Sequence, residues 1–344
     1  MTFRSLRLWS IRRALKLEKC SVDLNVYDKL PTTSTADDLD FVSDFVILKV
    51  LQYLSFQELA TLRLVSKRLN NIIQRHSEQL PKVARFGISL IGLPGASISF
   101  LGDNYAPEDV ALSVRQIDQG LRHVQLRDAL SVEEITLDHS SIQMLLRSLR
   151  CHVPKFEVFG GSIDVDPPTF TSLIHRWNTV SLSLVDPSLS SPQLINDRFF
   201  RVNRQLRHFR ADCSDKQMFI SLTDATLEKW SLNGNWPTTA LFKNCKTRFS
   251  NSGVFKLLKG LMYCCRANAL KAGASFIHSE PILWDFGILH DSLSDMVSLV
   301  KTSFQDTFTI LESETELLLF TDDIIPVSLK LRYEPWNGNS DSDC

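Results

Sequence analysis

The sequence predicts an α+β protein in two parts: a small module of three short helices, then a longer, irregular α/β repeat of solenoid type. Three observations predict it. Apolar residues recur at helical spacing between residues 40 and 80, and a six-residue apolar pattern returns six times between residues 121 and 232. The third is size: at about 150 residues per domain, 344 residues leave room for one small unit and one long one.

Val46, Ile47, Val50, Leu51 and Leu54 make one apolar face over three helical turns. Ser55-Phe56-Gln57-Glu58 follows, a serine N-cap with a glutamate three residues on. In that pairing the serine hydroxyl and the glutamate carboxylate each take up a backbone N–H that the helix start would otherwise orphan. A second helix therefore starts at Phe56, with Leu59, Leu62 and Val65 on its inner face. Leu69, Ile72 and Ile73 carry the period on to about Arg75, and Pro81 prevents further extension. Residues 1–39 are a basic tail and polar linker, and the module occupies 40–80. Within the tail, Arg4, Arg7, Arg12, Arg13, Lys16 and Lys19 face Glu18 alone. Leu8, Ile11 and Leu15 fall among these cations rather than opposite them, so the segment reads as solvated tail and not as a targeting helix.

The rear domain is assigned to 81–335, with 336–344 as an acidic tail. It opens with an uncharged stretch, residues 86–102, whose glycines and Leu93-Pro94-Gly95 predict strand, turn, strand rather than a membrane helix. The pattern apolar-x-x-apolar-x-apolar then starts at Leu121, Val132, Val153, Trp177, Leu206 and Leu227. From Val132 on, the spacings are 21, 24, 29 and 21 residues, within the 20–29 of leucine-rich repeats. Each pattern predicts a short strand with its apolar side chains inward and the intervening positions on a shared outer sheet face. Helical stretches at 142–149, 170–174 and 199–202 supply the other layer. The asparagine usual eight residues past each start is present only as Asn235. Asn251–Leu270 and Asp295–Phe304 read as helices, and 316–320 and 327–331 as closing strands.

Composition bounds the function. Hydrophobic residues make up 44% and charged residues 22%, which excludes intrinsic disorder and a polytopic membrane protein. A formal charge of −1 gives no global field for nucleic acid. Seven irregularly spaced cysteines, without a Cys-x-x-Cys, and no Asn-x-Ser/Thr site fit a reducing compartment, cytoplasmic or nuclear. No phosphate loop, dinucleotide fingerprint, His-Glu-x-x-His or nucleophile elbow occurs, and no metal, cofactor or catalytic residue is assigned.

The run Phe41–Leu54 resembles the first half of an F-box, and Ser55–Asn70 resembles the second. The family pattern, Leu-Pro-x-Glu at the front and Leu-x-x-Leu-Arg-x-Val-Ser-Lys behind, is met at Leu59-x-x-Leu62-Arg63-Leu64-Val65-Ser66-Lys67 and in Tyr53-Leu54. Val42-Ser43 and Phe45 stand where the family has Leu-Pro and Glu. A divergent F-box ahead of irregular leucine-rich repeats is similar to the large F-box families of nematodes and plants. The resemblance implies a non-catalytic substrate receptor of an SCF-type cullin–RING ubiquitin ligase, with the box on the Skp-type adaptor and the repeats on a protein substrate. The adaptor-binding residues it implies are Val42, Ile47, Val50, Leu51, Leu54, Leu59, Leu62, Val65 and Leu69. The substrate face would include Arg122, Gln125, Glu134, Lys155, Glu157, Arg207, Arg210 and Lys229. Two other classes stay open: a repeat-based scaffold whose box no longer binds the adaptor, and, behind it, a helix-turn-helix DNA binder using Asn70, Asn71 and Gln74.

Overall fold

The computed structural model describes residues 42–77, 79–92, 97–101, 110–111, 121–122, 124–214, 217–272, 280–304, 307–321 and 326–334. The basic tail, the polar linker, the acidic tail and the turn at Leu93-Pro94-Gly95 lie outside them. Two compact units divide at Val83 and Ala84.

The first unit is helical. Helix α1 (Asp44–Leu51), α2 (Phe56–Val65) and α3 (Lys67–Arg75) each begin on a serine, Ser43, Ser55 and Ser66, whose hydroxyl accepts a backbone N–H of the first turn. At Ser55 the arrangement is reciprocal, with the Ser55 backbone N–H donating to Glu58 Oε2 at 2.7 Å. Extended backbone at Ser66 breaks the second helix from the third. Ile47, Leu48, Leu51, Leu59, Leu69, Ile72, Ile73 and Leu80 make one small core, with Val42, Leu54 and Leu62 against its edge. Arg68 ties α3 to the start of α1, donating to Asp44 Oδ1 at 2.7 Å and to the Val42 carbonyl at 2.5 Å.

The second unit is a large, mostly parallel sheet with helices. Strand β1 (Val83–Ile91) pairs antiparallel with β2 (Ser97–Leu101), and β2 with the short β3 (Val110–Ala111), so the predicted strand pair stands. Strand β4 (Val124–Glu133) begins a repeated unit: long strand, tight turn, short strand, helix. The short strand β5 (Thr136–Asp138) and helix α4 (His139–Ser148) complete the first. The second is β6 (Lys155–Phe159), β7 (Ser162–Asp164) and α5 (Pro167–Arg176). The third is β8 (Ser181–Val185), β9 (Ser188–Leu189) and α6 (Asp197–Val202). Then come β10 (His208–Asp212), β11 (Met218–Thr223) and α7 (Asp224–Asn233), followed by β12 (Thr239–Lys243), β13 (Cys245–Arg248) and α8 (Asn251–Ala272). Strand β14 (Ile282–Leu289), helix α9 (Leu293–Phe304) and strands β15 (Thr309–Glu312), β16 (Glu316–Thr321) and β17 (Val327–Tyr333) close the chain.

The long strands β4, β6, β8, β10, β12 and β14 are parallel neighbours in chain order, and β17 and the antiparallel β16 and β15 follow. One register line runs through Ala129, Lys155, Ser181, His208, Thr239 and Leu283, at spacings of 26, 26, 27, 31 and 44 residues. The last interval is long because α8 has 22 residues. Positive φ at Glu134, Gly160, Gly161, Asp186 and Asn244 turns the chain sharply where a long strand ends. There the Glu134, Gly160, Asp186 and Cys213 N–H groups each donate to the last carbonyl of the next long strand: Phe159, Val185, Asp212 and Lys243. This backbone ladder holds neighbouring units together without a repeated asparagine.

Acidic side chains join the helix starts. Asp197 accepts the Thr223 N–H and hydroxyl and the Thr226 hydroxyl, and Asp224 accepts the Ser250 N–H and hydroxyl. The inward row Phe156, Leu182, Phe209, Ala240 and Trp284 is buried throughout. Phe199 of α6 lies 6.4 Å from Phe209, and Trp230 of α7 lies 5.3 Å from Phe200. Each buried aromatic contributes about 1.5–3 kcal/mol through the water it sheds.

Three expectations need correction. The patterns at Leu121 and Val132 are not two strands: Val124 to Val132 lie in the single strand β4, Ile135 is in the turn, and Leu137 is in β5. Leu227-x-x-Trp230-x-Leu232 lies in helix α7, where Leu227 and Trp230 are buried one turn apart and Leu232 is exposed. The strand of that unit is β12, with Ala240 and Phe242 inward. Asn235 makes no ladder rung; its side chain donates to the Arg204 carbonyl at 3.4 Å. Among the described residues no helix is long and apolar enough to cross a membrane.

Candidate functional site

Helix α1 is apolar on two sides. Ile47, Leu48 and Leu51 point into the core, while Phe45, Val46 and Val50 stay in water, at 67%, 48% and 57% exposure. Tyr53, just past the helix, is 90% exposed. Leu64 and Val65 at the end of α2 are exposed as well. So many large apolar side chains in water on one small module mark a binding surface.

Of the nine residues assigned to adaptor binding, only Val50 and Val65 are exposed. Ile47, Leu51, Leu59 and Leu69 are core, and Val42, Leu54 and Leu62 are half-buried at its edge. Those seven shape the surface from beneath. Phe45, Val46, Tyr53 and Leu64 are exposed apolar residues outside that assignment, and on α1 periodicity alone does not reveal which of its two apolar sides faces inward.

Both departures from the pattern have local roles. Ser43 caps α1, its Oγ accepting the Val46 N–H at 3.4 Å. Phe45 adds apolar area, with Lys49 Nζ 5.6 Å from its ring centroid. Elsewhere in the module, the Ser55 backbone N–H and hydroxyl hold the Glu58 carboxyl below its ordinary pKa. Burial lowers that of Arg63, whose Nε donates to Asn70 Oδ1 at 3.0 Å.

This module is also where the comparison with known families falls, on residues 39–78. It is an F-box domain. F-box domains bind Skp-type adaptors of cullin–RING ligases. No curated protein matches the chain.

In the second unit, the sheet carries alternate residues of each long strand on the side away from the aromatic row. Two register lines define it: Ala129, Lys155, Ser181, His208, Thr239 and Leu283, then Ser131, Glu157, Ser183, Arg210, Leu241 and Asp285. Of the eight substrate-face candidates, Lys155, Glu157 and Arg210 lie on these lines, and Gln125 lies on the same side of β4 by alternation. Arg207 is exposed just before β10, Arg122 precedes β4, and Glu134 is in the turn after it. Lys229 is on helix α7 and is no part of a strand.

Most charges on the face are paired. Lys155 meets Glu157 at 2.9 Å, Arg210 meets Asp212 at 2.7 Å, and Lys330 meets Glu316 at 2.9 Å. Asp285 is nearly buried, receives Arg332 at 2.6 Å and accepts the Gly287 N–H at 3.1 Å. Burial pushes its carboxyl up, and the Arg332 charge offsets part of the rise. Among the described residues no group of three or more His, Cys, Asp or Glu is placed to hold a metal ion.

Proposed function

We propose that the chain is a substrate-receptor subunit of an SCF-type cullin–RING ubiquitin ligase. The F-box docks on the Skp-type adaptor through Phe45, Val46, Val50, Tyr53, Leu64 and Val65. The strand–helix units behind it form an irregular leucine-rich-repeat-like solenoid that presents a protein substrate on the sheet face. The observation that carries the reading is the F-box at 39–78 with its exposed apolar side. Its favourable term is apolar area leaving water, at about 25 cal/mol per Å². The chain supplies no catalytic group in this account. It raises the effective concentration of substrate beside the ligase machinery and leaves the chemistry to partner subunits.

Co-purification of the full chain with a Skp-type adaptor tests this, alongside a Val50→Glu, Tyr53→Glu variant that leaves the core intact. The expected result is a stable complex with the native chain and none with the variant. Equal recovery of both sinks the docking surface. A Ser43→Pro, Phe45→Glu variant separates the ligase receptor from a scaffold with a degenerate box. If only that variant binds the adaptor, the native chain is such a scaffold.

A further inference from the structure

One strip of the second unit is cationic out of proportion to a chain of net charge −1. Arginines stand at 198, 201, 204, 207 and 210, three residues apart, with no acidic residue between Asp197 and Asp212. All five are exposed, while Phe199, Phe200, Asn203, Leu206 and Phe209 between them are buried. The strip starts on helix α6, follows the connection Asn203–Arg207 and ends on the sheet face at β10. It therefore reaches from the helix layer to the face assigned to substrate.

Two simpler explanations cover only part of the strip. A cation near a helix C-terminus is ordinary, because it complements the backbone dipole. That covers Arg201 in the last turn of α6 and Arg204, whose Nε donates to the Arg201 carbonyl at 3.4 Å, but Arg198 sits in the first turn, where the dipole disfavours it, and Arg207 and Arg210 lie beyond the helix. Internal pairing accounts for one arginine, Arg210 on Asp212. Among the described residues no carboxylate lies within ion-pair distance of Arg198, Arg201, Arg204 or Arg207. Asp197, the nearest acid in sequence, is occupied by Thr223 and Thr226.

We infer that this strip binds an acidic, extended segment of a partner protein, its carboxylates meeting successive guanidinium groups. Arginine without lysine suits that ligand, because the planar fork takes a carboxylate with two parallel hydrogen bonds. A nucleic acid suits it poorly. Single-strand binding needs aromatic faces on which bases stack, and the aromatic rings of this strip are buried. The inference rests on the proposal that this face receives substrate, and it names the substrate's chemistry.

The test uses the full chain and a fluorescent glutamate-rich peptide of about ten residues, followed by anisotropy at low ionic strength. Binding is expected, falling about tenfold or more in an Arg201→Glu, Arg204→Glu, Arg207→Glu variant and about two- to fivefold in each single Arg→Gln variant. Raising salt to about 0.5 M should abolish most of it. No binding by the native chain, or binding unaffected by the substitutions, overturns the proposal. A single-stranded oligonucleotide that binds tighter than the peptide, and through the same arginines, overturns it too. A thermal unfolding scan of the same samples shows that the second unit of each variant is folded, and adaptor binding shows that the F-box is intact. Adaptor binding also separates failure of this site from failure of the ligase reading, because the proposed docking residues on the F-box include none of these arginines.

Discussion

Replacing Arg332 with methionine tests how the closing strands are held. Asp285 is 4% exposed on β14, and Arg332 of β17 supplies its nearest cation, with Oδ2 accepting from Nη2 at 2.6 Å. The substitution keeps most of the apolar stem and removes the charge, leaving a buried carboxylate uncompensated. Breaking a buried pair from one side costs about 3–5 kcal/mol, and little of that is lost to solvent screening at this depth. For a unit of this size the melting temperature should fall by about 6–20 °C. The pH dependence has a definite sign. The folded-state pKa of Asp285 is raised above its unfolded value. Stability from this group is therefore fully present below the unfolded pKa and lost as pH rises through the folded one. Without Arg332 the folded pKa rises further, so the deficit against the native chain should narrow as pH falls. Adding Asp285→Asn, which keeps an acceptor for the Gly287 N–H, should restore most of the loss. Thermal scans of the two variants across pH check all three points. A fall below about 2 °C, a deficit independent of pH, or no recovery in the double variant would refute the reasoning.

Four further predictions concern other parts of the chain. Leu51→Ala in the F-box core should cost about 2–5 kcal/mol, and Tyr53→Ala less than about 0.5, read by hydrogen exchange of the α1–α3 amides. Because hydrogen bonds from Ser55 lower the Glu58 pKa, its contribution is present above the unfolded pKa and lost as pH falls through the folded one. Protection of α2 should thus weaken in acid, and Ser55→Ala should remove that dependence. Gly287 has φ +74° within β14, where an added Cβ would strike the Cys245 and Phe242 carbonyl oxygens. Gly287→Ala should therefore cost about 1–3 kcal/mol or more in a thermal scan. Burial pushes the Cys245 thiol up, so an alkylating reagent should label it only on unfolding, while half-buried Cys151, Cys213 and Cys264 react earlier in a mass-spectrometric time course.

Strong local signals were legible in the sequence. Ser55 with Glu58 set the start of α2 to the residue, because capping needs only four consecutive side chains. Val153-x-x-Phe156-x-Val158 and Leu206-x-x-Phe209-x-Ala211 marked β6 and β10, where inward alternation and a buried lead-in residue coincide. The same pattern misled at Leu227, since residues three apart share a helix face as readily as they bracket a strand. Thr223 as N-cap and Gly234 at φ +60° were the local signs of a helix there. β12 escaped notice because its inward pair is Ala240 and Phe242, and alanine carries little hydrophobic signal. For that reason the last predicted interval is 21 residues, against 31 from His208 to Thr239. The F-box surface was harder still. Its core and its exposed side are both apolar, and only packing assigns Leu51 to one and Val50 to the other. The arginine strip is written plainly in the sequence, but its exposure follows from the buried phenylalanines between.

The central claim is that the F-box binds a Skp-type adaptor through the apolar side of α1, and calorimetric titration of the full chain with purified adaptor tests it most directly. Saturable binding with a negative heat-capacity change, the mark of apolar burial, is expected. Val50→Glu with Tyr53→Glu should weaken it by a hundredfold or more, about 2.7 kcal/mol, while the folded state is unchanged. Absence of binding by the folded native chain, or equal affinity of the double variant, would contradict it.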